Sequence, residues 1–336
     1  MSERDEAEGL LAPAGPDAVL PFAVPDLDIR GRSVRLGPML DAILGRHAYP
    51  RPVSRLLGEA MVLTALLGTS LKIDGRFTLQ TLADGPVGML VVDFRMPDAV
   101  RAYARFDAAA LAAAEAAGTL DPASLLGKGH LAMTIDPGAG MQRYQGVVAL
   151  DGHTSLEELA HDYFRQSEQI PTRVRLAVAE TFERGADGTR EGWQAGGVLI
   201  QFLPDSSERL RQRDLHPGAA PEGAAVPDWP AEDDAWVEAR ALVDTVEDHE
   251  LTDPGLPLER LLFRLFHERG IRVFSPQPVV DRCSCSRERV EEMLVGFEPQ
   301  ERQEMIVDGE IVVTCEFCST HYHFDPEAFS RDNGTN

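Results

Sequence analysis

The chain has 336 residues, 43% of them apolar and 26% charged, which is ordinary for a globular protein and enough to bury a sizeable core. Its formal charge of −23 is not ordinary, and it opposes nucleic acid, whose binding depends on Lys and Arg neutralising phosphates. The first residues, Met-Ser-Glu-Arg-Asp-Glu-Ala-Glu, are acidic where a secretory signal is basic, and the apolar run from Leu10 to Val24 is broken by three prolines and Asp17, so neither export nor a bilayer span is expected.

Residues 1–20 read as a flexible acidic extension, with the folded part beginning near Phe22 and a short strand at Ser33–Leu36. Pro52–Leu67 is predicted to be a helix, because Val53, Leu56, Leu57, Ala60, Leu63 and Leu67 recur at helical spacing. Lys72–Gln80 alternates around Asp74-Gly75 and predicts a hairpin; Gly88–Phe94 continues as strand. Ala108–Ala117 is an Ala-rich helix stopped by Gly118. Leu131–Ile135 and Gln145–Leu150 read as strands, Ser155–Gln169 as a helix, and residues 174–182 and Gly197–Phe202 as strands again. Hairpins and helices without regular βαβ alternation give an α+β fold for residues 21–204.

Composition shifts after Pro204. Residues 205–231 are rich in Pro, Ala, Gly and charge and read as a loop-like insertion. A helix over Glu232–Leu251 follows, with Trp236, Ala239, Val243 and Val246 along one seam. A second opens at Pro257, lines up Leu258, Leu261, Leu262, Leu265 and Phe266, and ends at Gly270. Helices this short are marginal alone and need a surface to cover their apolar stripes. Residues 205–275 are therefore expected to be an insertion and a docked, metastable helical linker.

All four cysteines fall in the last stretch, 276–330, as Cys283-Ser-Cys285, twenty-nine intervening residues, and Cys315-Glu-Phe-Cys318. Two thiol pairs at this separation predict a tetrahedral four-thiolate cage, for which zinc is the expected ion, one per chain. The C-x-C pair makes a tighter bite than C-x-x-C and sets neighbouring thiolates where they can oxidise together. Between the pairs, Ser286 is placed to cap a helix bearing Val290, Met293, Leu294 and Phe297, and Asp308-Gly309 marks a turn into the strand that delivers Cys315. So few large apolar groups cannot fold sixty residues unaided, so the ion would act as their staple. Residues 276–336 carry thirteen Asp or Glu against five Arg, the reverse of a ribbon that grips nucleic acid.

Other readings are weaker. A thiol–disulfide oxidoreductase would set C-x-x-C beside a βαβ pattern, which is missing here. His321 and His323 are expected to be bystanders, and His47, His153 and His161 to lie in surface loops. Gly127-Lys-Gly129-His-Leu-Ala132 reads as a turn rather than a dinucleotide fingerprint. The sequence contains no G-x-x-x-x-G-K-[ST], G-x-S-x-G or H-E-x-x-H motif. No catalytic residue is assigned. On the cluster alone, a permanent structural zinc site is the expected reading.

Cys283-Ser-Cys285-Ser-Arg-Glu-Arg and Cys315-Glu-Phe-Cys318, together with Tyr163-Phe-Arg-Gln-Ser-Glu-Gln-Ile-Pro171, Tyr144-Gln-Gly146, Leu71-Lys-Ile-Asp-Gly75 and Ala195-Gly-Gly197, resemble the bacterial 33-kilodalton heat-shock protein family of redox-regulated holdase chaperones. The resemblance runs from about Phe22 to Phe329 and lapses in the acidic tail and in 205–231. It implies a cytoplasmic protein whose four thiolates hold zinc in the inactive state. It further implies that oxidation links Cys283 to Cys285 and Cys315 to Cys318, releases the ion, and unfolds the C-terminal region and linker. Unfolding client proteins are then held without ATP, often by a dimer. The rival from another class is a constitutive zinc-stabilised adaptor that binds protein partners and ignores redox state.

Overall fold

The computed structural model describes residues 14–138, 140–150, 155–185, 188–203 and 233–329. The insertion at 205–231, most of the acidic tail and His153 lie outside them.

The N-terminal body is two layers of sheet around one helix. Strands β1 (Ala18–Val24) and β2 (Ile29–Leu36) lead into helices α1 (Pro38–His47) and α2 (Arg51–Gly68). Then come β3 (Arg76–Ala83), β4 (Val87–Arg95), β5 (Ala99–Phe106), α3 (Ala108–Ala117), α4 (Pro122–Leu126), β6 (Gly129–Asp136) and β7 (Tyr144–Ala149). Helix α5 (Leu156–Tyr163) precedes the long hairpin of β8 (Thr172–Gly185) and β9 (Gly188–Phe202). One sheet has β1, β2, β9 and β8 as neighbours; the other has β5, β4, β3, β6 and β7, and all these pairings are antiparallel. The expected α+β class is what the chain adopts.

Helix α2 fills the space between the sheets. Only its Arg51 and Arg55 are exposed, and Val53, Leu56, Leu57, Met61, Leu63 and Leu66 sit in one core with Val34, Leu79, Leu90, Phe94 and Leu199. A helix walled on both sides needs apolar groups nearly all round, which is why its sequence exceeds a single stripe.

The outer face of the first sheet is also apolar, and here the linker docks. Helices α6 (Asp234–Asp244), α7 (Asp248–Thr252) and α8 (Leu258–Phe266) lay Trp236, Val243, Leu251, Leu261, Leu262 and Phe266 against Leu20, Phe22, Ile29, Val198, Ile200 and Phe202. Phe22 meets Phe266 at 5.8 Å between ring centroids, and Phe202 meets Trp236 at 6.2 Å. Arg35, buried on β2, donates from Nη1 to the Leu256 carbonyl at 2.6 Å. Arg173 and Arg175 of β8 pair with Asp244 at 2.6 Å and Asp248 at 2.9 Å. The two glycines of Ala195-Gly196-Gly197 face opposite ways, as successive strand residues must. A Cβ on Gly197 would stand 2.6 Å from Val62 of α2, and one on Gly196 2.1 Å from the Leu251 carbonyl of the linker.

Several boundaries differ from the sequence reading. The segment Ala18–Leu20, assigned to the flexible tail, opens β1; Asp17 beside it accepts from the Gly37 and Met39 amides at 2.8 and 3.1 Å, fixing the start of α1. Asp74-Gly75 is not a hairpin tip. Residues 71–75 form an irregular lead-in to β3, and Gly75 lies against the Asp136 carbonyl, where a Cβ would stand 2.1 Å away. The helix expected over 155–169 stops at Tyr163 and continues as a π-helical turn, Phe164–Glu168. The helix expected over 232–251 is two helices, because Glu247 starts a new one through a capping box with Glu250. Helix α1 and strand β5, missed by pattern, carry the contacts described below.

His161 is not a loop residue. It sits on α5, and its Nε2 accepts from the Val174 amide of β8 at 2.9 Å. Burial, and secondarily Arg173, lower its pKa to about 4. The unfolded chain therefore binds the proton first, near pH 6.5. The stabilisation from neutral His161 is complete above that pH and is lost as pH falls toward 4, a few kcal/mol in order of magnitude. His161→Gln, which keeps an acceptor at every pH, is expected to flatten this segment of the stability–pH curve in urea titrations. Identical curves for the two proteins between pH 6.5 and 4 would refute this assignment.

Candidate metal centre

The route to the first cysteine pair is a strap along the sheet edges. Short strands β10 (Arg272–Val273) and β11 (Gln277–Pro278) pair with β1, and β12 (Val280–Asp281) pairs in parallel with β5. Residues 277–281, which the sequence reading placed in the C-terminal domain, thus belong to the N-terminal sheets. The Arg282 amide donates to the Val100 carbonyl at 3.1 Å, and Cys283 follows directly.

The second pair rides a small hairpin. Helix α9 (Arg287–Val295) is capped by the Ser286 hydroxyl, which accepts from the Arg289 amide at 3.3 Å. Arg302, on α10 (Pro299–Glu304), donates to the Leu294, Val295 and Phe297 carbonyls at 2.7–3.2 Å and closes that helix's C-terminal end. Strands β13 (Ile306–Val307), β14 (Glu310–Thr314) and β15 (His321–Phe324) form a three-stranded sheet, with Cys315–Cys318 in the turn between the last two. The Ser319 amide donates to the Cys315 carbonyl at 2.8 Å, and the Cys315 amide to the Thr320 carbonyl at 2.9 Å. Among the described residues the fully buried core here is Leu294, Ile311, Phe324 and Phe329, with Val290, Phe297, Ile306 and Tyr322 partly buried against it and Met293 exposed despite its helical spacing.

All four sulfurs meet, lying within 4.8 Å of one another, and all four are free thiols. Cys283 Sγ is 3.8 Å from Cys315 Sγ, and Cys285 Sγ is 3.3 Å from Cys318 Sγ. A tetrahedral zinc site with Zn–S bonds of about 2.3 Å has sulfur edges of roughly 3.8 Å, so the donor set fits such an ion in type, number and spacing. The Tyr322 hydroxyl donates to Cys285 Sγ at 3.1 Å, and Cys318 Sγ contacts the Thr320 hydroxyl at 3.1 Å, outer contacts of the kind that orient thiolate ligands. Without a cation the cluster opposes ionisation at Cys285 and Cys315. Burial pushes Cys285 up to about 12 and raises Cys315. Burial also opposes ionisation of Cys318, but hydrogen bonds from Thr320 and its neighbouring thiols outweigh it and bring Cys318 down to about 7. A divalent ion removes this conflict by holding every sulfur as thiolate. His321 and His323 turn to Thr314 at 2.8 Å and Glu310 at 2.9 Å and do not join the cluster.

The N-terminal body contributes contacts that sequence reasoning missed. On β5, Val100, Ala102 and Ala104 point into the core, while Arg101 and Tyr103 face outward. Arg101 donates to Ser284 Oγ at 3.0 Å and lies 4.0 Å over the Phe317 ring. His47, read as a surface-loop residue, ends α1 with Nε2 3.2 Å from the Phe317 carbonyl and Nδ1 3.2 Å from Ser319 Oγ. The only sequence signal was the outward alternation of Arg101 and Tyr103 within a strand of unremarked apolar residues.

Residues 17–325 match the family model described as Hsp33 protein. The chain is 42% identical over 313 residues to a 33 kDa chaperonin of Caulobacter vibrioides, covering 92% of this chain and 95% of that one. It is 38% identical over 306 residues to a 33 kDa chaperonin of Ectopseudomonas mendocina, covering 90% of each. Among solved structures, the 33 kDa chaperonin from Thermotoga maritima superposes with a TM-score of 0.69 at 20% identity, over 94% of this chain and 97% of that one, a likeness of fold.

The geometry predicts one divalent ion per chain in protein purified under reducing conditions, measured by elemental analysis beside a count of reactive thiols. Cys315→Ser should lower the metal content to a small fraction and raise hydrogen exchange throughout 282–329, leaving β3 and β4 protected. Full metal content in that variant would rule out the four-sulfur cage.

Proposed function

The chain belongs to the Hsp33 family of chaperones, and on that premise we propose that it is an oxidation-activated, ATP-independent holdase of the cytoplasm. The observation that carries this reading is the covered sheet face: an extensive apolar surface masked by a linker whose far end runs into a four-thiol cluster.

In the resting state the four cysteines would hold zinc, which when bound keeps the sulfurs ionised. Thiolates react with peroxide where thiols are slow. The thiolate of one cysteine attacks a peroxide oxygen, leaving a sulfenic acid and, after protonation, water. Its neighbour's thiolate then displaces the hydroxyl, which leaves as a second water after protonation, and a disulfide forms. Each disulfide gives up two electrons and consumes one peroxide and two protons, so two peroxides oxidise the four sulfurs. The proposed pairs are Cys283 with Cys285 and Cys315 with Cys318. With its ligands consumed, the site can no longer retain an ion.

Structural zinc contributes on the order of 10–16 kcal/mol of apparent binding free energy, against about 5–15 kcal/mol for the stability of a whole domain. Four buried apolar residues cannot replace it, so the C-terminal unit would unfold. The strap at 272–281 and helix α8 are continuous with that unit, and their loss would uncover Phe22, Ile29, Val198 and Ile200 for client proteins. The uncovered face would also allow association of two copies. No helix among the described residues is long and apolar enough to cross a membrane.

The reading predicts that peroxide at raised temperature releases zinc to a chromogenic chelator and, in the same sample, confers suppression of client aggregation. Retained metal, or metal lost without gain of that activity, would leave the constitutive adaptor. Leu262→Ala should weaken the cover by about 2–5 kcal/mol and give partial holdase activity to reduced, metal-loaded protein. Light scattering of a thermally unfolding client checks this. A variant that loosens 234–266 by hydrogen exchange yet stays inactive would show that the covered face is not where clients bind.

A further inference from the structure

Between the N-terminal body and the cysteine unit, one side chain touches both cysteine-bearing segments. Arg101 is held from behind: its Nε and Nη2 donate to Asp93 Oδ2 at 2.8 and 2.6 Å, and the Thr78 hydroxyl fixes Asp93 Oδ1 at 2.6 Å. Asp93 is buried in the outward face of the β3–β4–β5 sheet, so the guanidinium is anchored to the rigid part of the molecule. Its remaining nitrogen, Nη1, reaches Ser284 Oγ inside the C-x-C pair, and its flat face covers Phe317 inside the C-x-x-C pair. A planar, permanently charged fork suits both tasks at once, and a lysine could not perform both. Tyr103, two residues along the same face, has its ring 6.3 Å from that of Phe317, and His47 closes the other side at the Phe317 carbonyl.

We propose that Arg101 is a positioning residue that latches both cysteine pairs onto the N-terminal sheet and thereby sets how readily the centre opens. This rests on the reading that opening of the centre activates the protein. With both pairs pinned to one anchored group, a sulfur that starts to leave the cage must either drag the guanidinium off Asp93 or break its own segment's contact with it. Without the latch, the first pair remains tethered through β12 and the second through His47 and Tyr103, with no group common to both, and each pair can swing independently. The latch thus makes the two pairs yield together rather than one after the other.

The test uses full-length, zinc-loaded protein and follows transfer of zinc to a chromogenic chelator, with and without peroxide, alongside hydrogen exchange of 282–329. A partly desolvated cation–π contact and one charge-assisted hydrogen bond together correspond to about tenfold or more in rate. Arg101→Ala, which loses both contacts, is expected to speed release about tenfold or more, and Phe317→Leu, which loses only the ring contact, several-fold. The double variant should be little faster than Arg101→Ala, because the two changes remove a shared contact. Arg101→Lys should recover less than half of the effect. Release at the wild-type rate in Arg101→Ala, or fully multiplicative effects in the double variant, overturns the latch. Should Arg101→Ala misfold because Asp93 is left buried, Phe317→Leu and Ser284→Ala test the same contacts without disturbing the sheet, and wild-type rates in both overturn it equally. Wild-type protein that never gains holdase activity on zinc loss defeats the proposed function, whereas normal activation with unaltered release in the variants defeats only the latch.

Discussion

The structure depends on a sheet with two apolar faces. The β1–β2–β9–β8 sheet is served on one side by α2 and on the other by α6, α7 and α8. The first covering is unconditional, since α2 is enclosed by a second sheet. The second consists of three short helices, none of which is long enough to persist alone. Because the two cores share only the sheet between them, the outer one can be dismantled while the inner one continues to hold the sheet together. The linker is thus a natural candidate for sub-global opening, with a free energy below that of the whole molecule.

What ties that outer core to the cysteines is continuity of the chain. After α8, residues 272–281 run along the free edge of β1 and then that of β5 before reaching Cys283. The four-thiol cluster sits at the end of this strap and is braced against the outward face of β5 and the end of α1. Charge follows the same plan: Arg173 and Arg175 meet linker acids, and Arg101 is held by Asp93. These arginines are drawn to specific carboxylates, so the excess of acid in the chain leaves its surface strongly negative without leaving these junctions unpaired.

Much of this was legible in the sequence. The four cysteines, α2, the linker stripes and the α+β class follow from spacing and period, because each depends on local pattern. The doubled glycine at 196–197 was visible as a motif, but its reason, a helix crossing on each face, is tertiary. The strap was invisible because two-residue strands carry no period. Arg101 and His47 were passed over because a lone charged residue on a strand looks like solvent-facing alternation, and a histidine at a helix end looks like surface. Glu247 restarting the helix was hidden by apolar residues that kept their seam across the break.

A four-sulfur cage at this cluster would also have a meaning in polymer terms. Joining residue 283 to residue 315 closes a loop of roughly thirty residues, and in the chain-entropy picture such a crosslink disfavours the unfolded ensemble by about 3–4 kcal/mol, before any bond energy is counted. In this unit, where Leu294, Ile311, Phe324 and Phe329 are the fully buried apolar groups among the described residues, that topological term rivals what the apolar contacts supply. Pairing neighbours within each cysteine motif would replace one long-range tie with two rings of three and four residues, which restrain almost nothing. Oxidation can therefore leave the count of sulfur attachments high while abolishing the connection that mattered, the one between the two ends of the module.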